Sequence, residues 1–281
     1  MKQKIYICTN DEQLLCAKLA KFIIEKVNTH PINSIEIVHN RSFPVRKELS
    51  NQEYLRKGKR EIYSPNDMQS FTFLRFAIPE LMSFDGQALV IDPDIFLIKD
   101  AIGEVFLNNL FDADIACRSG IERNSWATSL MFLNCKSLEH WNLEDIIQDI
   151  LSLNLDYYDL LNLQKTNLII HELDHSWNDF DSMDERTKFL HLTQKITQPW
   201  RKGLKLNSYI PPIFGFIPRV PIYKILNKPI NIGVDHPNKH INDFFFISLK
   251  NAYQSSAIDD DDIEFALAKN FIRKDIRSFL I

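Results

Sequence analysis

Two aspartates separated by one proline follow a short apolar segment near the middle of the chain. Asp92 and Asp94 come directly after the apolar residues 88–91 and before a second apolar run, 95–98. Residues i and i+2 of an extended backbone point the same way, and Pro93 favours an extended Asp92. Two carboxylates so close repel each other unless a cation is near, and their hard oxygens favour Mn²⁺ or Mg²⁺. The spacing predicts a metal site, although the same triplet is also typical of a turn in which an aspartate caps the next segment.

Two further side chains could complete such a site. His191 follows an apolar run, and its imidazole would be a third protein ligand that leaves positions for two phosphate oxygens, although a histidine in this setting is more often a core residue. Arg75 lies in the apolar stretch 73–82, where an unpaired guanidinium is costly. Its expected partner is a structural carboxylate, Asp92 or a phosphate group.

The elements that must position these residues alternate between strand and helix patterns. The predicted strands are 4–8, 34–38, 88–91, 113–117 and 129–133, and the predicted helices are 11–27, 68–81, 138–153, 242–253 and 262–270. This order is typical of an α/β fold with a parallel sheet, whose ligands bind at the carboxyl ends of the strands. Seven of the twelve prolines lie in 197–237, so residues 211–237 are expected to form an extended wrap.

Composition limits the classes of function. The 281 residues are 45% hydrophobic, which is enough for a sizeable core. Basic and acidic residues are nearly balanced, with a formal charge of −4, so the composition does not indicate nucleic acid or a membrane surface as a partner. Four widely spaced cysteines in apolar runs indicate buried free thiols. No apolar run is long enough for a membrane span, and the N-terminus resembles a first strand more than a secretory signal. A cytoplasmic protein is therefore expected.

Over residues 4–202 the order of segments resembles the family 8 glycosyltransferases, which are enzymes of the GT-A type. The similar segments are IYICTND (5–11), SFTFLRFAIPEL (70–81), ALVIDPDIFLIKD (88–100), WATSLMFLNC (126–135), LDHSWNDF (173–180) and HLTQKITQPWR (191–201). The resemblance implies one Rossmann-like nucleotide-binding domain with a mostly parallel central sheet flanked by helices. Residues 1–205 would be this catalytic domain, and 206–281 would be an extended wrap and C-terminal helices packed on it.

The resemblance also implies an activity and roles for particular residues. The activity is transfer of a hexose from a nucleoside diphosphate sugar, with UDP favoured and retention at the anomeric carbon, to a glycan, lipid-linked or small-molecule acceptor. Mn²⁺ or Mg²⁺ would be the cofactor. The implied residues are Asp92, Asp94 and His191 for the metal, Thr9 for the base, Arg75 and Lys195 for phosphate, Ser129 on the sugar side, Asp159 beside the reacting sugar and Trp200 over the donor.

Departures from the family pattern keep other functions open. Leu130 and Gln194 stand where glycines are common, which allows a non-catalytic protein that binds sugar nucleotides. The pattern His171-Glu172-x-x-His175 matches the zinc metallopeptidases, in which both histidines bind zinc from one face of a helix. A second Asp-x-Asp pattern within residues 259–262 precedes a helical run, so it is interpreted as a helix cap.

Overall fold

The computed structural model describes all residues except 44, 65–66, 68, 108–111, 165 and 207–230. The backbone divides into two compact units, the first formed by Met1–Asp179 with Asp184–His191 and the second by Phe180–Met183 with Leu192–Ile281. This division falls earlier in the chain than the expected boundary at 205/206. Most of the expected wrap, 211–237, lies outside the described residues.

The strands are β1 (Gln3–Thr9), β2 (Ser34–His39), β3 (Glu53–Arg56), β4 (Lys59–Ile62), β5 (Gln87–Ile91), β6 (Ile95–Leu97), β7 (Ile115–Arg118), β8 (Leu130–Asn134), β9 (Ile170–Leu173), β10 (Asp179–Phe180) and β11 (Phe189–His191). The helices are α1 (Leu14–Val27), α2 (Val45–Glu48), α3 (Ile78–Leu81), α4 (Ile102–Leu107), α5 (Leu143–Leu151), α6 (Tyr157–Leu161), α7 (Lys239–Gln254) and α8 (Asp260–Ala268). Short 3₁₀ turns include Thr72–Ala77, His175–Asn178 and Pro199–Arg201.

A six-stranded sheet in the order β2-β1-β5-β8-β7-β9 forms the centre of the first unit. The pairs β1/β2, β1/β5 and β7/β9 are parallel, whereas β8 is antiparallel to both of its neighbours. Helix α1 packs against β1 and β2, and the opposite face holds a cluster that includes Phe76, Val90 and Trp141. The predicted α/β class with a mostly parallel sheet is confirmed.

The direction of β8 decides which residues meet at the edge of the sheet. Because β1 and β5 are parallel, with Ile7 opposite Ile91, their carboxyl ends lie side by side. Leu130, the first residue of β8, is opposite Ile91. The start of β8 therefore lies beside the end of β5, and the residues just before it reach the position of Asp92.

Two local features differ from the sequence predictions. The helix expected over 68–81 is mainly the 3₁₀ turn Thr72–Ala77 followed by α3, because Pro79 lacks an N–H and its ring clashes with the carbonyl four residues earlier. The basic segment 56–60 lies outside the predicted strands, but it belongs to a β-hairpin. Lys57 and Gly58 both have positive φ, +53° and +71°, as a two-residue type I′ turn requires.

The four cysteines are buried and free, as predicted. Among the described residues, no helix combines the length and the apolar character needed to cross a bilayer.

The second unit contains a buried arginine held by two aspartates. Arg273 is 2% exposed, and its Nε and Nη2 donate to Asp275 Oδ1 and Oδ2 at 2.5 and 2.7 Å. Its Nη1 donates to Asp235 Oδ1 at 3.1 Å. The hydrogen bonds from Arg273 hold the pKa of Asp275 below its ordinary value of 3.8.

This pairing predicts an acid-dependent loss of stability. Since the pKa of Asp275 is lower in the folded state, its contribution is present above about pH 4 and is lost as the pH falls through the depressed value. The Asp275 side chain is 56% exposed, so the contribution should not exceed about 1 kcal/mol. Melting temperatures from pH 5 to pH 3 should fall more for the wild type than for Asp275→Asn. Equal slopes would contradict this prediction.

Candidate functional site

Asp92 is a buried carboxylate held by an arginine. Its backbone N–H donates to the Ser129 carbonyl at 2.9 Å, which ties the end of β5 to the start of β8. Arg75 donates to both carboxylate oxygens, from Nε to Oδ1 at 2.9 Å and from Nη2 to Oδ2 at 2.5 Å. Both side chains are less than 10% exposed. The geometry is the bidentate arginine–carboxylate pair, which fixes the plane of the carboxylate.

The third interaction of Arg75 also lies inside the protein. Its Nη1 donates to Thr128 Oγ1 at 2.7 Å, and the Thr128 hydroxyl donates to the Leu161 carbonyl at 2.6 Å. Of the partners weighed from the sequence, Asp92 is the one that the structure shows. The contact that the structure shows is the one with Asp92. Binding of the donor phosphate by Arg75 stays a prediction.

Burial dominates the acid–base behaviour of Asp92. It raises the pKa of Asp92 to about 6, with a further contribution from the like charge of Asp94, and the positive charge of Arg75 opposes this shift. A divalent cation at the carboxylates would supply positive charge that Arg75 alone does not. The electrostatics of the site therefore favour cation binding.

His191 reaches the aspartates from the strand beside them. Strand β11 pairs antiparallel with β6, and His191 is opposite Ile95, the residue after Asp94. His191 Nε2 lies 3.5 Å from Asp94 Oδ1. On its other side, Nδ1 lies 3.0 Å from Asn178 Oδ1 and 3.3 Å from Ser129 Oγ.

The three predicted metal ligands form a compact group. One ligand atom from each of Asp92, Asp94 and His191 lies within 4.8 Å of the others. Two oxygens and one imidazole nitrogen suit Mn²⁺, and they suit Mg²⁺ through the carboxylates. Three protein ligands leave positions for oxygens of a bound molecule. The residues present therefore fit a divalent metal.

The other predicted residues are placed as follows. Thr9 ends β1 at the same sheet edge as Asp92, and its buried hydroxyl donates to the Asn10 carbonyl at 3.2 Å. Asp159 lies on α6, the helix whose Leu161 carbonyl accepts from Thr128. Lys195 is half-buried in the second unit.

Trp200 differs from expectation. It is 0% exposed in the second unit, where its ring stacks on Phe245 with centroids 5.1 Å apart. It packs as a core residue of that unit. The expectation that it covers the donor stays a prediction.

The metallopeptidase pattern does not form a zinc site. His171 lies on β9, and His175 begins a 3₁₀ turn, so the two rings do not share one face of a helix. Both histidines are exposed, and within the described ranges they belong to no group of three potential ligands. That interpretation of the pattern is wrong. The acidic segment at 259–262 is the predicted cap: Asp259 and Asp262 form a capping box at the start of α8.

Sequence reasoning missed three residues of the site: Thr128, Asn178 and Arg118. Thr128 and Asn178 contact the predicted residues directly, and Arg118 Nη1 donates to the Asn178 carbonyl at 2.6 Å. The available signal was the position of Thr128 next to Ser129 and that of Asn178 within the segment LDHSWNDF, and Arg118 had no comparable signal. Only the folded chain shows that Thr128 contacts Arg75 and that Asn178 contacts His191.

No protein-family model and no curated protein matches the chain. Solved glycosyltransferase structures resemble it. The galactosyltransferase LgtC, solved with donor and acceptor sugar analogues, matches with a TM-score of 0.46 and 12% identity, over 70% of this chain and 89% of that one. Mouse xyloside xylosyltransferase 1 matches at 0.45 and 13%, over 69% and 98%. GlyE of Streptococcus pneumoniae matches at 0.48 and 15%, over 92% and 64%. TM-scores below 0.5 at such identities carry no activity over to this chain, whose chemistry rests on the residues of the site.

Proposed function

We propose that the chain is a metal-dependent glycosyltransferase that takes a hexose from a nucleoside diphosphate sugar, with UDP as the favoured nucleotide. The observation that carries the proposal is the group of Asp92, Asp94 and His191 at the carboxyl edge of the sheet. In α/β sheets, small molecules bind at this edge. Three protein side chains on a metal leave coordination positions open for the oxygens of a diphosphate. The segment resemblance supports the same chemistry, including retention.

Each residue of the site has a role that its position allows. When bound, the metal would supply positive charge to the departing nucleoside diphosphate. Arg75 keeps Asp92 in one orientation through its two hydrogen bonds. Ser129, half-buried beside His191, would face the sugar side of the donor. Thr9, at the end of β1, would contact the base of the nucleotide.

Two roles rest on the resemblance. Asp159 would lie beside the reacting sugar, and Lys195 would neutralise phosphate. The acceptor would be a glycan, a lipid-linked sugar or a small molecule.

A binding protein without transferase activity is the second candidate. The family resemblance implies an acidic residue at position 157, where this chain has Tyr157. Tyr157 is buried, with its hydroxyl 2.6 Å from Thr72 Oγ1. A buried tyrosine does not supply the acidic group that the resemblance implies there. Nucleotide binding alone therefore does not distinguish the two functions.

The proposed function predicts that nucleotide raises the melting temperature only when metal is present. A ligand at about 100 times its Kd adds about 2.7 kcal/mol to the folded state, which corresponds to a shift of several degrees for a chain of this size. Melting curves with UDP or GDP, each with Mn²⁺ or with EDTA, measure the effect and identify the nucleotide.

Turnover then separates the two candidates. Release of UDP from a UDP-hexose, with or without added acceptor sugars, should accompany binding in the enzyme. A metal-dependent shift without any release of UDP would indicate the binding protein. No shift with either nucleotide would contradict both.

A further inference from the structure

Asn178 occupies the centre of a hydrogen-bond network behind the metal ligands. Its side chain is 0% exposed and bonds to two of the residues at the site. Oδ1 lies 3.0 Å from His191 Nδ1, and Nδ2 donates to Ser129 Oγ at 3.0 Å. The amide therefore links the imidazole to the serine that precedes β8.

The backbone of Asn178 is fixed as firmly as its side chain. Asn178 ends the 3₁₀ turn that begins at His175, and its carbonyl accepts from Arg118 Nη1 at 2.6 Å. Arg118 is the last residue of β7 and is 8% exposed, and its Nε donates to the Ser119 carbonyl at 3.1 Å. The position of the amide is therefore set by the central sheet.

We propose that Asn178 is a positioning residue that holds the His191 ring with its proton on Nδ1 and its Nε2 lone pair toward the aspartates. An amide oxygen can only accept a hydrogen bond, so the imidazole nitrogen facing Oδ1 must carry the proton. The other nitrogen is then the one available to a metal. The inference rests on the proposed function, because it concerns the metal site described there.

The same network assigns a direction to the Ser129 hydroxyl. Asn178 Nδ2 donates to Ser129 Oγ, so the serine accepts in this bond and its own proton is not used there. With His191 Nδ1 also a donor, the Ser129 proton has no acceptor on either of these two neighbours. Neither of these bonds therefore uses the Ser129 proton, which can be donated to a bound molecule.

Two substitutions of Asn178 separate this role from packing. Asn178→Asp keeps an acceptor for His191 Nδ1 and nearly the same shape, whereas Asn178→Leu keeps the volume and removes the acceptor. Loss of a partner that orients a metal-binding histidine weakens metal affinity about 10- to 100-fold. We expect that loss in Asn178→Leu, and we expect Asn178→Asp to stay within about tenfold of the wild type.

A matched control is Asn162→Leu. Asn162 is a half-buried amide of the same unit, and its Nδ2 donates to the backbone carbonyl of Tyr158 at 2.8 Å. It touches none of the proposed metal ligands in the hydrogen bonds that the structure describes. Its substitution should leave Mn²⁺ affinity unchanged.

The experiment is a Mn²⁺ titration followed by electron paramagnetic resonance, together with long-range ¹H–¹⁵N correlation spectra of the metal-free wild type. The spectra report which nitrogen of His191 carries the proton without any metal or turnover. We expect the Nδ1-protonated form. An Nε2-protonated ring would overturn the proposal, as would wild-type Mn²⁺ affinity in folded Asn178→Leu or an equal loss in Asn178→Leu and Asn178→Asp.

A failure of the proposed function gives different results from a failure of the Asn178 proposal. If the wild type does not bind Mn²⁺, the metal site itself is wrong, and the spectra still decide which nitrogen Asn178 selects. If Asn178→Leu does not fold, the spectra and the Asn178→Asp titration decide the proposal. Wild-type affinity in Asn178→Asp would then support it, and a loss beyond tenfold would overturn it.

Discussion

Replacing Asp94 with asparagine should remove Mn²⁺ binding and sugar transfer while the protein stays folded. Asp94 contributes one of the three clustered ligand atoms, and the bidentate bond from Arg75 goes to Asp92. Loss of a residue that only orients a metal ligand weakens metal affinity by up to about 100-fold. Loss of the charged ligand Asp94 itself should weaken Mn²⁺ affinity by more than that. Since a catalytic metal contributes several kcal/mol to charge stabilisation, release of UDP from UDP-hexose should fall at least about 10³-fold.

The matched control for this substitution is Asp261→Asn. Asp261 is an exposed carboxylate in the first turn of α8, so the same chemical change there removes one charge and touches no part of the site. Its Mn²⁺ affinity and UDP release should equal those of the wild type. If Asp94→Asn kept both quantities within tenfold of the wild type, the metal would not be held by this group.

The fold was largely predictable because its signals are local. Five of the strands have apolar or alternating runs bounded by polar turns, and each is found within two residues of the predicted bounds. The direction of β8 was not predictable in this way. An apolar run indicates that a strand forms, but its direction depends on which neighbour it pairs with, and here both neighbours are antiparallel to it.

The site was predictable where its residues are close in sequence and less so where the fold brings them together. The carboxylate pair is visible as a triplet at the end of a strand. Thr128 and Asn178 were missed because their partners lie far along the chain: Arg75 is 53 residues from Thr128, and Ser129 is 49 residues from Asn178. Trp200 was singled out because it lies in a segment that matches the family pattern. That match did not indicate that its side chain is buried in the second unit.

Replacing Arg75 with methionine should destabilise the protein in the absence of any ligand. The substitution leaves the Asp92 carboxylate buried without its bidentate partner, and breaking a buried pair from one side costs about 3–5 kcal/mol. Urea unfolding followed by circular dichroism measures this change in the free energy of unfolding. Arg186→Met is the control, since the Arg186 side chain is 87% exposed and its pair with Asp184 should contribute no more than about 1 kcal/mol.

The two roles considered for Arg75 predict opposite patterns. If Arg75 served the donor phosphate, Arg75→Met would keep the unliganded stability and lose only the stabilisation by UDP. Because the structure joins Arg75 to Asp92, the loss should appear without ligand, and a second substitution, Asp92→Asn, should recover part of it by removing the uncompensated charge. Mn²⁺ should also stabilise Arg75→Met more than the wild type, since the cation becomes the main positive partner of Asp92. Unchanged unliganded stability in Arg75→Met would contradict this role and return Arg75 to the donor site.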